Sequence, residues 1–217
     1  SMMVPENYPR VIIEAVEPQI QGGRFPIKRV IGEKVAVSAD IYKEGHDKLA
    51  AVLKVRKVGD KRWHESPMAQ GDNDRWYGDF TVGAIGCWEY TIEAYAERYL
   101  SWVDEISKKN VPGANLNSEL LEGLQIIRTS AALAPAAART RINGLLTAME
   151  SALAVGEQQG AIDLGIGAVM RSLMASCPDR SEGYELSPPL TIMVNRPVTR
   201  FAAWYEFFPR SQGSMPY

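Results

Sequence analysis

The sequence predicts a mixed fold, an immunoglobulin-like antiparallel β-sandwich with an inserted small α-helical bundle, and three observations lead there. Apolar residues alternate with period two in several short runs before residue 105. They recur at helical spacing between 102 and 175. Period two then returns at Leu190, Ile192 and Val194. Charge shifts at the same border, since residues 1–109 hold 33 of the 50 charged side chains and residues 110–183 hold 12.

The strands come first. Residues 10–16 alternate, and in 34–42 Val35, Val37, Ala39 and Ile41 alternate with Lys34, Ala36, Ser38 and Asp40, as a half-buried strand requires. Further strands are expected at 50–58, 76–82 and 86–96, the last setting Trp88, Tyr90, Ile92 and Ala94 against Glu89, Thr91, Glu93 and Tyr95. Turn residues separate them: Gly22-Gly23, Glu44-Gly45-His46, Gly59-Asp60 and Gly71-Asp72-Asn73-Asp74. Short alternating strands about ten residues apart read as a sandwich.

Trp102, Ile106 and Lys109 open a helical register that Pro112-Gly113 stops. Asn117 or Ser118 can cap a second helix, with Glu119 and Glu122 in its first turn and Leu120, Leu121, Leu124, Ile127 and Ala131 along it. Pro135 falls near the first turn of a third, whose stripe is Ile142, Leu145, Leu146, Met149 and Leu153. A fourth is expected over 162–175, weakened early by Gly160, Gly165 and Gly167 and ended by Pro178. Short loops make these helices antiparallel neighbours. Pro188-Pro189 precedes the run at Leu190, read as the strand that closes the sandwich. Five aromatics then fall within eight residues at Phe201, Trp204, Tyr205, Phe207 and Phe208, and such a tail is expected to dock on its own sandwich or on a partner chain.

Composition closes off several function classes. The 217 residues are 46% hydrophobic and 23% charged with a formal net charge of −2, which excludes a disordered or collagen-like chain and gives no reason to expect nucleic acid or an anionic membrane as partner. The longest apolar stretch, 131–138, is interrupted by Pro135 and far short of the roughly 20 residues of a membrane span. Cys87 and Cys177 stand in different contexts, with neither an Asn-x-Ser/Thr sequon nor a signal peptide, so a cytoplasmic location is expected. Ser1-Met2-Met3 reads as a tag scar ahead of a start codon.

Chemistry-bearing patterns are sparse. His46 and His64 lie far apart and neither cysteine has a companion at ligand spacing, so no metal site is expected. Gly22-Gly23-Arg24 lacks the strand, lysine and helix of a phosphate loop and reads as a turn. Glu89, Glu93 and Glu97 are expected on the solvated face of a strand, and spacing singles out no acid/base pair. Lys54, Arg56, Lys57, Lys61 and Arg62 read as a solvated sheet edge. Exposed tryptophans on sandwiches can stack sugar rings, but Trp76 and Trp88 share the register of a buried face. Trp63, followed by His64 and Glu65 near a turn, is the candidate contact to a sugar ring. No catalytic, cofactor-binding or metal-binding residue is assigned, and no cofactor is expected.

Three stretches carry a resemblance. Arg10-Val11-Ile12-Ile13-Glu14, Gly22-Gly23-Arg24-Phe25-Pro26-Ile27-Lys28-Arg29-Val30 and Arg200-Phe201-Ala202-Ala203-Trp204-Tyr205-Glu206-Phe207-Phe208-Pro209-Arg210-Ser211 resemble the N-terminal region of the bacterial α-1,4-glucan:maltose-1-phosphate maltosyltransferases, of the α-amylase superfamily. The resemblance implies an immunoglobulin-like domain (4–105 with 184–199), a helical insertion (106–183) and, at 200–217, the start of a truncated (β/α)8 catalytic barrel. It further implies a non-catalytic scaffold and dimerisation region, partnered by its own barrel in the full-length chain and by a second copy. The parent would be a retaining enzyme that elongates α-1,4-glucan from maltose 1-phosphate, with its catalytic carboxylates downstream. The alternative is a carbohydrate-binding sandwich module that recognises α-glucan.

Overall fold

The computed structural model describes residues 10–45 and 47–198. His46, the aromatic run 201–208 and the expected barrel start at 200–217 lie outside the described residues. Ten strands and five helices follow one another in this order. The strands β1 (Val11–Glu17), β2 (Ile27–Val30), β3 (Lys34–Lys43), β4 (Leu49–Lys57), β5 (His64–Pro67), β6 (Ala69–Gln70), β7 (Arg75–Thr81) and β8 (Gly86–Ala96) come first. The helices α1 (Arg98–Lys109), α2 (Asn117–Leu133), α3 (Ala136–Ala154), α4 (Gln158–Ile166) and α5 (Ala168–Ala175) follow, and β9 (Tyr184–Glu185) and β10 (Leu190–Asn195) end the described chain.

One sheet has four strands in the order β1-β3-β7-β6, and the other has six, in the order β2-β10-β8-β4-β5 with β9 on β8. Both are open. The alternation in β3 holds, with Val35, Val37, Ala39 and Ile41 all buried. In β4 three successive residues, Ala51, Val52 and Leu53, are buried, so both faces of this strand are covered there. The pairing is not wholly antiparallel as expected. β10 runs antiparallel to β8, with Ile192 opposite Trp88, but parallel to β2, with Ile192 opposite Ile27 and Asn195 opposite Val30. Parallel neighbours need a long crossover, and the whole middle of the chain supplies it. β2, β5, β6 and β9 fall outside the expected strands, because runs of four or two residues are too short to show a period.

By contacts the described chain divides into two compact units. One gathers residues up to Glu14, Asp40–Val52 and Glu93–Glu185, and the other Ala15–Ala39, Leu53–Ile92 and the residues from Leu186. Strands β1, β3, β4 and β8 contribute residues to both. In the first unit the helices share one apolar cluster built on Tyr99, Trp102, Ile106, Leu120, Ile127, Ile142, Met149, Ile162 and Met170. α3 packs against α2 and α4, and α1 against α2, so helices joined by short loops are neighbours as expected.

Two helical expectations change. The fourth segment is two helices broken at Gly167, whose extended backbone (φ −66, ψ 164) ends α4 and begins α5. α2 starts at Asn117 without a side-chain cap from Asn117 or Ser118. Its first amides are met from outside the helix: Asn115 Oδ1 accepts from Asn117 N at 3.1 Å, and Gln158 Oε1 from Leu116 N at 2.8 Å.

The polar face of β8 is not solvated. Thr91 is fully buried and donates to the Leu186 carbonyl at 2.5 Å, and Tyr95 is buried. Glu89 and Glu93 are mostly covered and pair with Arg56 at 2.7 Å and Arg180 at 2.8 Å. Glu97 lies beyond the end of the strand, half-buried at the start of α1. Of the two tryptophans placed in the core register, Trp76 is buried and Trp88 half-buried, its Nε1 donating to the Ala84 carbonyl at 2.8 Å. Among the described residues, no helix is long and apolar enough to cross a membrane.

Candidate functional site

Trp63 sits just before β5, and its surroundings are set by β4. Lys54 and Arg56, two residues apart on that strand, project from the same side. The Arg56 guanidinium lies 3.9 Å from the centroid of the Trp63 ring and the Lys54 ammonium 5.5 Å from it. Glu89, on the neighbouring strand, accepts from Arg56 Nε and holds the guanidinium in that position. The cluster is an acid, a cation and an indole in a row, and Trp63 is half-buried by it. Arg56 is therefore a ring partner on an inner strand and not part of a solvated edge. His64 is exposed on β5.

A second concave surface belongs wholly to the helical unit. A cleft of about 490 Å³ is lined by Lys43, Asp47, Arg98, Ser101, Glu105, Glu122, Gln125 and Glu182, with Trp102 and Ile126 among its apolar walls. Most of its charges are already matched. Lys43 pairs with Asp47 at 2.5 Å, Arg98 with Glu182, and Glu105 with Lys109 at 2.8 Å, while Lys109 also reaches Glu119 at 3.5 Å. Burial, then the neighbouring Glu105 charge, holds the Glu122 carboxyl above the usual carboxylate range. Charges neutralised in pairs favour a structural or binding surface over proton transfer, which needs a base and an acid held apart in contrasting surroundings. Sequence reasoning did not reach this cleft. Its residues come from separated stretches around 43–47, 98–105, 122–126 and 182, and only the fold brings them together.

Among the described residues no three His, Cys, Asp or Glu side chains are grouped to hold a metal ion. Cys87 is half-buried and Cys177 buried, and both are free thiols.

The chain matches the family described as "Alpha-1,4-glucan:maltose-1-phosphate maltosyltransferase, domain N/S" over residues 9–196. It is 36% identical over 210 residues to a protein of Myxococcus xanthus named alpha-1,4-glucan:maltose-1-phosphate maltosyltransferase, covering 95% of this chain and 32% of that protein. Relatives of the same name from Rhodospirillum rubrum (36% identical, 99% of this chain and 33% of the relative) and Chlorobaculum tepidum (33% identical, 95% and 30%) agree. The chain thus spans about a third of the length of these curated relatives.

Proposed function

Because this chain belongs to the N/S-domain family of the α-1,4-glucan:maltose-1-phosphate maltosyltransferases, we propose that it is a non-catalytic scaffold and dimerisation region of such an enzyme. The match over residues 9–196, against only a third of each relative, carries the reading: a whole maltosyltransferase has room for a catalytic domain beyond this one. In this reading the chain's first partner is its own catalytic barrel, which begins within 200–217, and the domain borders fall at 4–105 with 184–199 and at 106–183. The parent enzyme transfers maltosyl units from maltose 1-phosphate to α-1,4-glucan with retention.

The two sheets are read as an immunoglobulin-like sandwich, supported by the alternation in β3 and by the two-face burial of β4. Dimerisation is supported by large apolar side chains exposed on the helices, with Leu121 at 60%, Leu133 at 59% and Val169 at 51%. Two free thiols support a cytoplasmic setting. The alternative, an α-glucan-binding module centred on Trp63, has less support, since Arg56 already occupies a position over the ring.

The test is to incubate the purified chain with maltose 1-phosphate and a glucan acceptor while measuring its mass by sedimentation. A dimer that releases no phosphate is expected. Phosphate release would overturn the scaffold reading, and a strict monomer would remove the dimerisation role. Titration with maltooligosaccharides followed by tryptophan fluorescence separates the alternative, which requires saturable binding that Trp63→Ala abolishes.

A further inference from the structure

We propose that the cleft of the helical unit is a binding site for a neutral saccharide of one or two hexose units, held by Glu122 and Gln125 of α2 with Ser130 at its inner end. The inference goes beyond the scaffold reading and does not rest on it.

Helical spacing builds the site. Arg98, Ser101, Trp102 and Glu105 stand at i, i+3, i+4 and i+7 on α1, so one face of that helix forms a wall. Glu122, Gln125 and Ile126 form another from a single stripe of α2. The same stripe runs on through Thr129 to Ser130, which line a smaller cavity of about 80 Å³. Cleft and cavity share Ala96, Arg98, Gln125 and Ile126 in their walls, so they are successive compartments along α2. All these residues belong to one compact unit. The cleft, at about 490 Å³, falls within the roughly 300–1,000 Å³ of small-molecule sites.

Unused hydrogen-bonding groups mark where the ligand goes. Ser130 is only 4% exposed, yet among the described residues its hydroxyl has no hydrogen-bond partner, and it lines the inner cavity. Buried polar side chains are nearly always paired with protein, water or ligand. Since one water needs about 10–15 Å³, the cavity of about 80 Å³ has room for a group as large as a hydroxymethyl. The side chains of Glu122 and Gln125 are likewise without hydrogen bonds or ion pairs among the described residues. Their neighbours are engaged. Thr129 Oγ1 donates to the main-chain carbonyl of Gln125 at 3.0 Å, while Ser101 Oγ accepts from Lys48 N at 2.8 Å and donates to the Glu97 carbonyl at 2.7 Å.

Charge selects the ligand class. Lys43 is matched by Asp47, Arg98 by Glu182 and Glu105 by Lys109, so among the described lining residues no cation is left over for an anionic ligand. An apolar ligand would strip water from these charges without replacing its hydrogen bonds. A saccharide replaces them, because each hydroxyl both donates and accepts. Neighbouring hydroxyls suit the Glu122 carboxylate and the Gln125 amide one turn apart, and a hydroxymethyl group suits Ser130. Val11 and Ile126 give the C–H face of the ring an apolar wall.

Calorimetric titration of the chain with maltose and with cellobiose tests the site. Saturable binding of at least one sugar is expected, with a Kd on the order of 1 mM. Gln125→Ala should weaken it at least about tenfold and Ser130→Ala at least about threefold, each by removing a hydrogen bond to the ligand. Trp63→Ala should leave it unchanged, which separates this site from one centred on that ring. Alanine favours the helix and neither side chain has a partner in the protein to lose, so both variants should keep the helical circular dichroism of the parent chain. A shift of the Gln125 side-chain amide resonance on titration gives a readout that needs no variant. Three results would overturn the proposal: no saturation by either sugar at about tenfold the expected Kd, binding that both cleft variants leave intact, or tighter binding of inorganic phosphate or spermidine than of either sugar.

Discussion

Gly123 on α2 presses its Cα against the Trp102 indole so closely that a Cβ added there would stand 2.1 Å from Cζ2. The indole cannot yield, because it is only 2% exposed and its Nε1 donates to the Glu119 carbonyl at 2.7 Å. Gly123→Ala should therefore destabilise the helical unit by about 1–3 kcal/mol through overpacking, although alanine is the better helix former. Urea unfolding followed by helical circular dichroism checks it, and an unchanged midpoint would show that the indole repacks freely.

Arg56→Ala removes both the cation over Trp63 and the partner of Glu89, whose side chain is 16% exposed. A loss of about 1–2 kcal/mol is expected, more than an exposed ion pair contributes, because a half-buried carboxylate is left without its donor. Adding Glu89→Gln should recover part of the loss in a double-mutant cycle on thermal unfolding.

Burial raises the Glu97 carboxyl above its usual pKa, and the residue lines a small cavity of about 80 Å³ with Tyr99, Ser130 and Met174. The folded chain thus holds this proton more tightly than the unfolded one. The associated stability is present at acid pH and fades as pH rises through the window between the ordinary carboxylate value and the raised one. Glu97→Gln should make the chain more stable at pH 7 and flatten that part of the profile. A profile identical to that of the parent chain would remove Glu97 as its source.

Tyr99 donates to the Gly165 carbonyl at 2.7 Å inside the helical core, and burial pushes its phenol up to about 12. Tyr99→Phe leaves that carbonyl without its donor and should cost about 1–2 kcal/mol. Amide exchange in α4 should speed up if the bond anchors that helix, and an effect spread evenly over the unit would argue against a local anchor.

β3 was legible because burial on one face writes itself into every second residue, whereas β8 was legible only in residue type, since Tyr90, Thr91 and Ile92 are buried in succession. The parallel pairing of β10 with β2 was not legible, since no local pattern records which edge a returning strand joins. Of the three glycines read as weakening the fourth helix, Gly167 does break it, while Gly165 lies inside α4, where a Cβ would stand 2.9 Å from both Met149 and Trp102, so its place in the helix is a packing requirement. For the site, the tryptophan register separated the buried Trp76 from Trp63, but nothing in the spacing announced that Arg56 and Glu89 would meet at that ring. The cleft of Lys43, Arg98 and Glu122 left no sequence signal at all.

The place of β10 between β2 and β8 also sets an order of events during synthesis. Helices α1–α5 draw their contacts from neighbours close in sequence and can consolidate while the chain is still emerging. β2 has β10 as its one neighbour in the sheet order, so it waits through some 160 residues for the pairing that fixes it. A nascent chain arrested before Leu190 would carry a formed helical unit beside an unfinished sheet, and that interval is when the unpaired strands are most open to chaperones.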